Sequence, residues 1–219
     1  MQPRFSHQRT AALAVFEWLV IIAILAMLAV LLLAALAAAK RKSSRINCVS
    51  NLKQVGLAFR LWEGDNNGKY PMAVSMTNGG AMELIATGNV AACFRVMSNE
   101  LSTPKILLCP KDSRRTYTTN FSASFSDANI SYFINLDVAD ESRPQMVLDG
   151  DDNLLVDGKP AEPGILNLGT NSSVGWTKER HHNVGYVGMA DGSAQSVTTN
   201  GLQPLLRQTG FATNRLVLP

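Results

Sequence analysis

The residues in this sequence whose side chains could bind a metal or take part in catalysis are a histidine pair, an aspartate that follows it, and cysteines. His181 and His182 precede Asp191, with nine residues between His181 and the aspartate. Imidazole and carboxylate are common metal ligands, although this set lacks the fixed spacing of a known metal motif. Cys48 or Cys109 could act as a nucleophile with His181. The apolar helical face to which Cys48 belongs indicates burial instead.

An acidic run places oxygen ligands at alternate positions. Asp149, Asp151 and Asn153 are spaced as in an EF-hand loop. The run is not an EF-hand, because Leu154 stands where the loop needs glycine and Pro160 where it needs the bidentate glutamate. The sequence therefore leaves two interpretations open, a calcium-binding loop or a solvated turn.

Other catalytic motifs are missing from the sequence. It contains no glycine-rich phosphate loop and no G-x-S-x-G nucleophile motif. A hydrolase would have to rely on His181 and Asp191 alone, without a recognisable motif. We therefore expect that the protein is not an enzyme and has no catalytic residue.

The three cysteines are Cys48, Cys93 and Cys109. Outside the cytoplasm two could form a disulfide and leave one over, and the alternative is three small buried hydrophobic residues.

The first element that must position these residues is an apolar segment near the N-terminus. Residues 18–39 carry no charge, and as a helix they would extend about 33 Å, enough to cross about 30 Å of hydrocarbon. Glu17 stands at the start, where a carboxylate is costly. A signal peptide cut after residues 37–39 would have an unusually long apolar region. A plain membrane anchor explains the length but gives Glu17 no role.

Residues 14–40 resemble the N-terminal segment of type IV pilins and type II secretion pseudopilins. In that family a short basic leader is cleaved after a small residue, usually glycine, and the fifth residue of the mature chain is glutamate. Matching Glu17 to that glutamate implies cleavage between Ala12 and Leu13 and a leader of residues 1–12. This sequence has alanine before the bond and leucine after it, where phenylalanine or methionine is usual.

The resemblance implies a structural function. It identifies the chain as a prepilin-like subunit of a type II secretion pseudopilus or a type IV pilus-like fibre, methylated at Leu13. Its implied partners are a prepilin peptidase, an inner-membrane assembly platform, membrane lipid and other pilin or pseudopilin subunits. Glu17 would pair with the N-terminal amine of a neighbouring subunit, which would offset the cost of its charge. The alternative is a membrane-anchored extracytoplasmic binding domain that does not polymerise.

The helix is predicted to continue beyond the membrane. Residues 13–39 form its transmembrane half, residues 40–64 its amphipathic half, and residues 65–219 an outward-facing globular domain. The fold class is α+β, with the long helix packed on a small antiparallel sheet. One apolar face with helical spacing supports this prediction; it consists of Cys48, Leu52, Val55, Phe59 and Trp62.

Two further segments resemble one pseudopilin-like subfamily. Residues 48–59 match its helix, and residues 107–112 match its downstream Cys-Pro element, which implies a disulfide between Cys48 and Cys109. Its C-terminal signature is a histidine, nine residues and Asp-Gly, here His181 and residues 191–192.

The Asp191-Gly192 pair has a structural interpretation. Aspartate-glycine between two alternating runs is typical of a type I′ hairpin turn, with glycine supplying a positive φ. We expect His181 to bond back to Asp191 across the sheet edge. The remaining predicted elements are a helix over residues 90–101, strands over 106–109, 130–136, 145–149, 184–190 and 194–198, and a terminal helix over 201–208.

Charge limits the partners and bears on localisation. The net charge is +3, but from residue 46 onward the chain holds 14 basic and 16 acidic residues. The globular part is therefore not a nucleic-acid binder. The basic run at residues 40–45 suits a lipid headgroup layer. By the positive-inside rule it favours a cytoplasmic domain, whereas the resemblance implies a single-pass protein of the bacterial inner membrane with its domain outside the cytoplasm.

Overall fold

The structure, a computed structural model, describes residues 7–169 and 171–219, with the backbone alone at residues 7–14 and 41. It divides into two compact units, Met1–Ser43 and Ser44–Pro219. One long helix begins in the first unit, and its C-terminal half packs on an antiparallel sheet in the second. The fold class is the predicted one, α+β with a pilin-like layout.

Along the described residues, four α-helices come before the strands, and a fifth lies between the last two strands. The helices are α1 (His7–Asp65), α2 (Met82–Ile85), α3 (Val90–Val96), α4 (Ser98–Leu101) and α5 (Thr199–Arg207). The strands are β1 (Tyr132–Asn135), β2 (Val147–Asp151), β3 (Leu154–Val156), β4 (Lys159–Pro160), β5 (Gly164–Gly169), β6 (Val174–Trp176), β7 (Val184–Met189), β8 (Ala194–Thr198) and β9 (Thr213–Leu218).

The larger sheet has six antiparallel strands in the order β5-β9-β1-β2-β7-β8, and a smaller one has the order β4-β3-β6. Successive side chains of a strand face opposite sides of the sheet. Ile134 joins the core under α1, α3 and α4, and Phe133 joins the core under α5 and β6. The larger sheet is thus covered on both faces.

The predicted apolar face of α1 is confirmed. Its five members, from Cys48 to Trp62, are each at most 5% exposed. The helix ends at Asp65, where the Glu63 carbonyl accepts a hydrogen bond from the Gly68 amide. Gly68 has a φ of 67°, the left-handed conformation that ends many helices.

Three predicted elements differ in the structure. Residues 106–109 are not a strand: a 3₁₀ turn occupies Pro104–Leu107, started by proline and capped by the Thr103 side chain. The helix predicted over residues 90–101 is two helices, α3 and α4, which meet at Met97. The acidic run is not wholly a loop, because β2 continues through Asp151.

The turn between β7 and β8 is not the predicted type I′ turn. That turn needs a positive φ at both central residues, and here Gly192 has a φ of 79° while Asp191 does not have a positive φ. The Met189 carbonyl accepts from the Gly192 amide, and the Met189 amide donates to the Ser193 carbonyl. This is a three-residue loop with a glycine bulge, and the Asp191 side chain caps it by accepting from the Ser193 amide.

This loop touches α1 backbone to backbone. A Cβ atom on Gly56 would lie 2.9 Å from the Cα of Gly192, and a Cβ on Gly192 would lie 3.0 Å from the Arg60 side chain. Arg60 also donates to the Asp191 carbonyl, at 3.4 Å. Two glycines, one on each element, therefore allow the hairpin loop to rest on the helix.

We expect Gly56→Ala to destabilise the domain by about 1–3 kcal/mol, because the added methyl group overpacks the contact. The gain in helix propensity, about 1 kcal/mol, offsets only part of this. Gly64→Ala on the same helix is the matched control, because a Cβ there meets nothing within 4 Å. Urea unfolding of both variants in detergent checks the difference, and equal stabilities would contradict the proposed contact.

Candidate functional site

The N-terminal part of α1 presents its apolar side chains outward. Large hydrophobic side chains from Val15 to Leu36 are 40–68% exposed. The segment is long and apolar enough to cross a membrane, and none of its most apolar 18-residue window is buried. Glu17 is exposed near its start. This surface needs either lipid or other helices to cover it.

The predicted processing site lies within the same helix. Ala12 and Leu13 both belong to α1, which begins at His7. The first six residues of the predicted leader lie outside the described residues. The boundaries of the leader and the cleavage of this bond remain predictions.

A second candidate site is buried where α1 meets the sheet. The Sγ atoms of Cys48 and Cys109 lie 2.7 Å apart as free thiols, and the Nε2 atom of His181 lies 3.3 Å from Cys109 Sγ. All three side chains are at most 2% exposed. Cys93 is buried elsewhere, in the core beneath α3. The structure thus brings together the two cysteines of the predicted disulfide, which itself remains a prediction.

His181 does not bond to Asp191, contrary to expectation. Strand β7 runs between them in extended conformation, and its six residues span about 20 Å. The ring of His181 packs edge-on against Tyr186, with centroids 4.8 Å apart, and its Nε2 lies 3.9 Å from a carboxylate oxygen of Asp151. The two ends of the signature, His181 and Asp191, therefore make contacts in different parts of the domain.

Next to His181, a buried arginine holds three aspartates together. Arg180 is 5% exposed; its guanidinium forms ion pairs with Asp112 and Asp152 and lies 3.6 Å from Asp151. It also donates to the Ser131 carbonyl, at 3.0 Å. Such a network is strongly destabilised when one partner is lost, because the remaining charges stay buried.

Two further arginines complete the network at its outer side. Arg114 contacts Asp112 at 3.3 Å and Asp152 at 2.9 Å, and Arg115 contacts Asp152 at 2.6 Å. Three cations thus face three carboxylates once Arg180 and Asp151 are included. The cluster is balanced in charge when all three carboxylates are ionised.

The ionisation of this cluster follows from burial and charge. Burial is the largest influence on Asp112 and opposes its ionisation, but Arg180, the hydrogen bonds from the Arg114 amide and Ser131, and the charge of Arg114 together lower the pKa of this carboxyl. Burial raises the pKa of Asp151 to about 7, with Arg180 and His181 opposing the increase. Hydrogen bonding from Cys48 lowers the pKa of the Cys109 thiol, and the bond to His181 adds to this. Cys109 is therefore the thiol that ionises first.

The predicted calcium ligands occupy three different surroundings. Asp149 is fully buried, and burial raises its pKa to about 8, with the Gly188 backbone amide opposing the increase. Asp151 accepts from the Tyr186 amide, and the Asn153 side chain donates to Thr177. Asp149 and Asp151 pair across the sheet with residues of the α1 side, so both carboxylates face α1. Calcium binding remains a prediction.

Sequence reasoning did not predict the arginine network. Arg180 and Asp112 are 68 positions apart, and Arg180 and Asp152 are 28 apart. The available signal was local: Asp112 follows the Cys-Pro element, and Arg180 precedes His181. A buried charge must be paired, but a position beside a predicted site residue does not by itself show that a side chain is buried.

An open groove of about 670 Å³ lies beside this cluster, between α1 and the β7–β8 edge. Tyr186 lines the groove on one side and packs with Cys48 and Cys109 on the other. The basic side chains of Arg45 and Lys53 also line it.

Comparison with protein-family models, with curated proteins and with solved structures finds no match to this chain.

Proposed function

We propose that this chain is a prepilin-like structural subunit that polymerises through α1 into a type II secretion pseudopilus or a type IV pilus-like fibre. The observation that carries the proposal is the outward-facing apolar surface of α1 from Val15 to Leu36, with Glu17 near its start. A plain anchor needs the apolar surface but not the carboxylate. A helix that packs against identical helices can use the carboxylate to set its register.

The difference in exposed apolar surface between the two units supports this proposal. In the second unit, the apolar face of α1 is already covered by the domain. Exposed apolar side chains there are fewer and include Ile46, Leu57 and Leu61. The association we propose therefore depends chiefly on the first unit. The domain is carried as a folded body outside the cytoplasm, with the inner membrane as the site of assembly.

The test is the mass and N-terminal sequence of the protein recovered from native membranes. A chain that starts at Leu13, with a methylated amine, is the expected result. A start at Lys40 would contradict the proposal, because it would show removal of the helix as a signal peptide. The matched variants are Ala12→Gly, expected to be cleaved, and Ala12→Glu, expected to keep its leader because the peptidase requires a small residue.

A second candidate function is supported by the groove beside Tyr186. It would make the chain a membrane-anchored domain that binds a ligand or exported cargo without polymerising. An intact Met1 start in the same experiment would favour this function.

A further inference from the structure

We propose that Cys48, Cys109, His181 and Asp151 form a structural binding site for a zinc-like divalent metal ion when the cysteines are reduced. The inference goes beyond the proposed function and does not depend on polymerisation. Its first support is convergence: the donor atoms of Cys48, Cys109 and His181 all lie within 4.8 Å of one another. Four chain segments that are distant in sequence meet at this point.

The donor types fit such an ion. Zinc prefers thiolate sulfur and imidazole nitrogen, accepts carboxylate oxygen, and is tetrahedral in structural sites. Metal–ligand bonds of about 2.0–2.3 Å place tetrahedral donors about 3.3–3.8 Å apart. The distances from His181 Nε2 to Cys109 Sγ, 3.3 Å, and to Asp151 Oδ2, 3.9 Å, are close to this range. The two sulfurs, 2.7 Å apart, would have to separate by about 1 Å, a modest side-chain rotation.

The fourth ligand is Asp151. The ligating oxygen is Oδ2, which lies 3.9 Å from His181 Nε2 and is held in place by the hydrogen bond that it accepts from the Tyr186 amide. The Oδ1 atom is buried and makes no hydrogen bond. Arg180 stands 3.6 Å from Oδ1, which orients the carboxylate from outside the ligand set. Groups that contact a ligand but not the metal ion itself orient the ligand and affect metal affinity.

The surroundings are those of a closed site. Leu52 and Tyr132 belong to the same buried cluster as the two cysteines, and the Tyr186 ring packs edge-on against His181. A bound ion has four protein ligands and no open position, which suits a structural site rather than a catalytic one. It would connect α1 with β2 and with the segments before β1 and β7. Two thiolates would neutralise its charge, leaving the arginine network balanced.

The metal site and the predicted disulfide use the same sulfur atoms, so they exclude each other at any moment. The experiment therefore starts with full-length protein in detergent, reduced without added thiols and kept free of oxygen. Cobalt(II) is the probe, because thiolate ligation produces a near-ultraviolet charge-transfer band. We expect one equivalent to bind with this band, and zinc(II) to displace it and raise the melting temperature.

Variants locate the site. Cys48→Ser and Cys109→Ser are expected to lose the band, and Asp151→Asn to keep it with weaker binding. Cys93→Ala is the matched control and should bind as the wild type does, because Cys93 lies in a separate core. The proposal is overturned if reduced wild-type protein shows no charge-transfer band, or if Cys48→Ser and Cys109→Ser retain it. A melting temperature of folded, reduced protein that zinc leaves unchanged would also overturn it.

Discussion

Arg180→Met is expected to lower the free energy of unfolding by about 3–5 kcal/mol, the cost of removing one partner from a buried ion pair. Arg180 is nearly inaccessible and pairs with Asp112 and Asp152, which are also buried. Methionine fills much of the same space but leaves these carboxylates without their central cation. Chemical unfolding of the full chain in detergent measures the loss.

The matched control is Arg114→Met, which removes a cation from the same two aspartates. The Arg114 side chain is 46% exposed, so solvent screens its charge and the loss should stay below about 1 kcal/mol. At acidic pH, the difference in the free energy of unfolding between Arg180→Met and wild type should become smaller. The lowered pKa of Asp112 means that its pairing stabilises the fold above its unfolded-state pKa, about 3.9, and this contribution disappears as the pH falls. Equal losses in the two variants would contradict the assigned roles.

Under the proposed function, Glu17→Gln is expected to leave the protein folded and membrane-bound while reducing its incorporation into fibres at least tenfold. Glutamine keeps the size of the side chain but cannot form an ion pair with the amine of a neighbouring subunit. Loss of that pair within an apolar helix bundle would exceed the 1.4 kcal/mol that corresponds to tenfold. The fraction of tagged subunit that sediments with sheared fibres measures the effect.

The control for charge is Glu179→Gln, which removes an exposed carboxylate from the domain and should not change incorporation. Glu17→Asp preserves the charge with a shorter side chain and should retain part of the assembly. Incorporation of Glu17→Gln at the wild-type level would show that the carboxylate has no role in association.

Much of the fold follows from local sequence patterns. The face from Cys48 to Trp62 was predicted because helical spacing repeats over four turns, and β8 was predicted at its observed bounds. The segment before Cys109 was mistaken for a strand because apolar content alone does not distinguish an extended chain from a 3₁₀ turn. In this segment, Pro104 and the Thr103 cap favour the 3₁₀ turn. Strand β9, which lies between β5 and β1 in the larger sheet, was missed because its place depends on partners distant in the sequence.

The buried site was predicted only in part, for a related reason. The pairing of Cys48 with Cys109 came from a family resemblance, and the structure places the sulfurs side by side. The partner expected for His181 was wrong, because nearness in a signature suggests contact whereas an extended strand separates its ends. Arg180 was overlooked because nothing local distinguishes a buried arginine from an exposed one.

The contacts that hold α1 against the domain also determine when folding can finish. Cys48 and Cys109 are 61 positions apart, Cys109 and His181 are 72 apart, and Arg60 meets Asp191 across 131 positions. Synthesis of that last interval takes roughly ten seconds at about 5–20 residues per second. During this time the apolar face of α1 lacks its native cover and is open to lipid, chaperones or neighbouring chains. The contact between Arg60 and Asp191 can form only after this interval has been synthesised, so the cover of α1 is completed late.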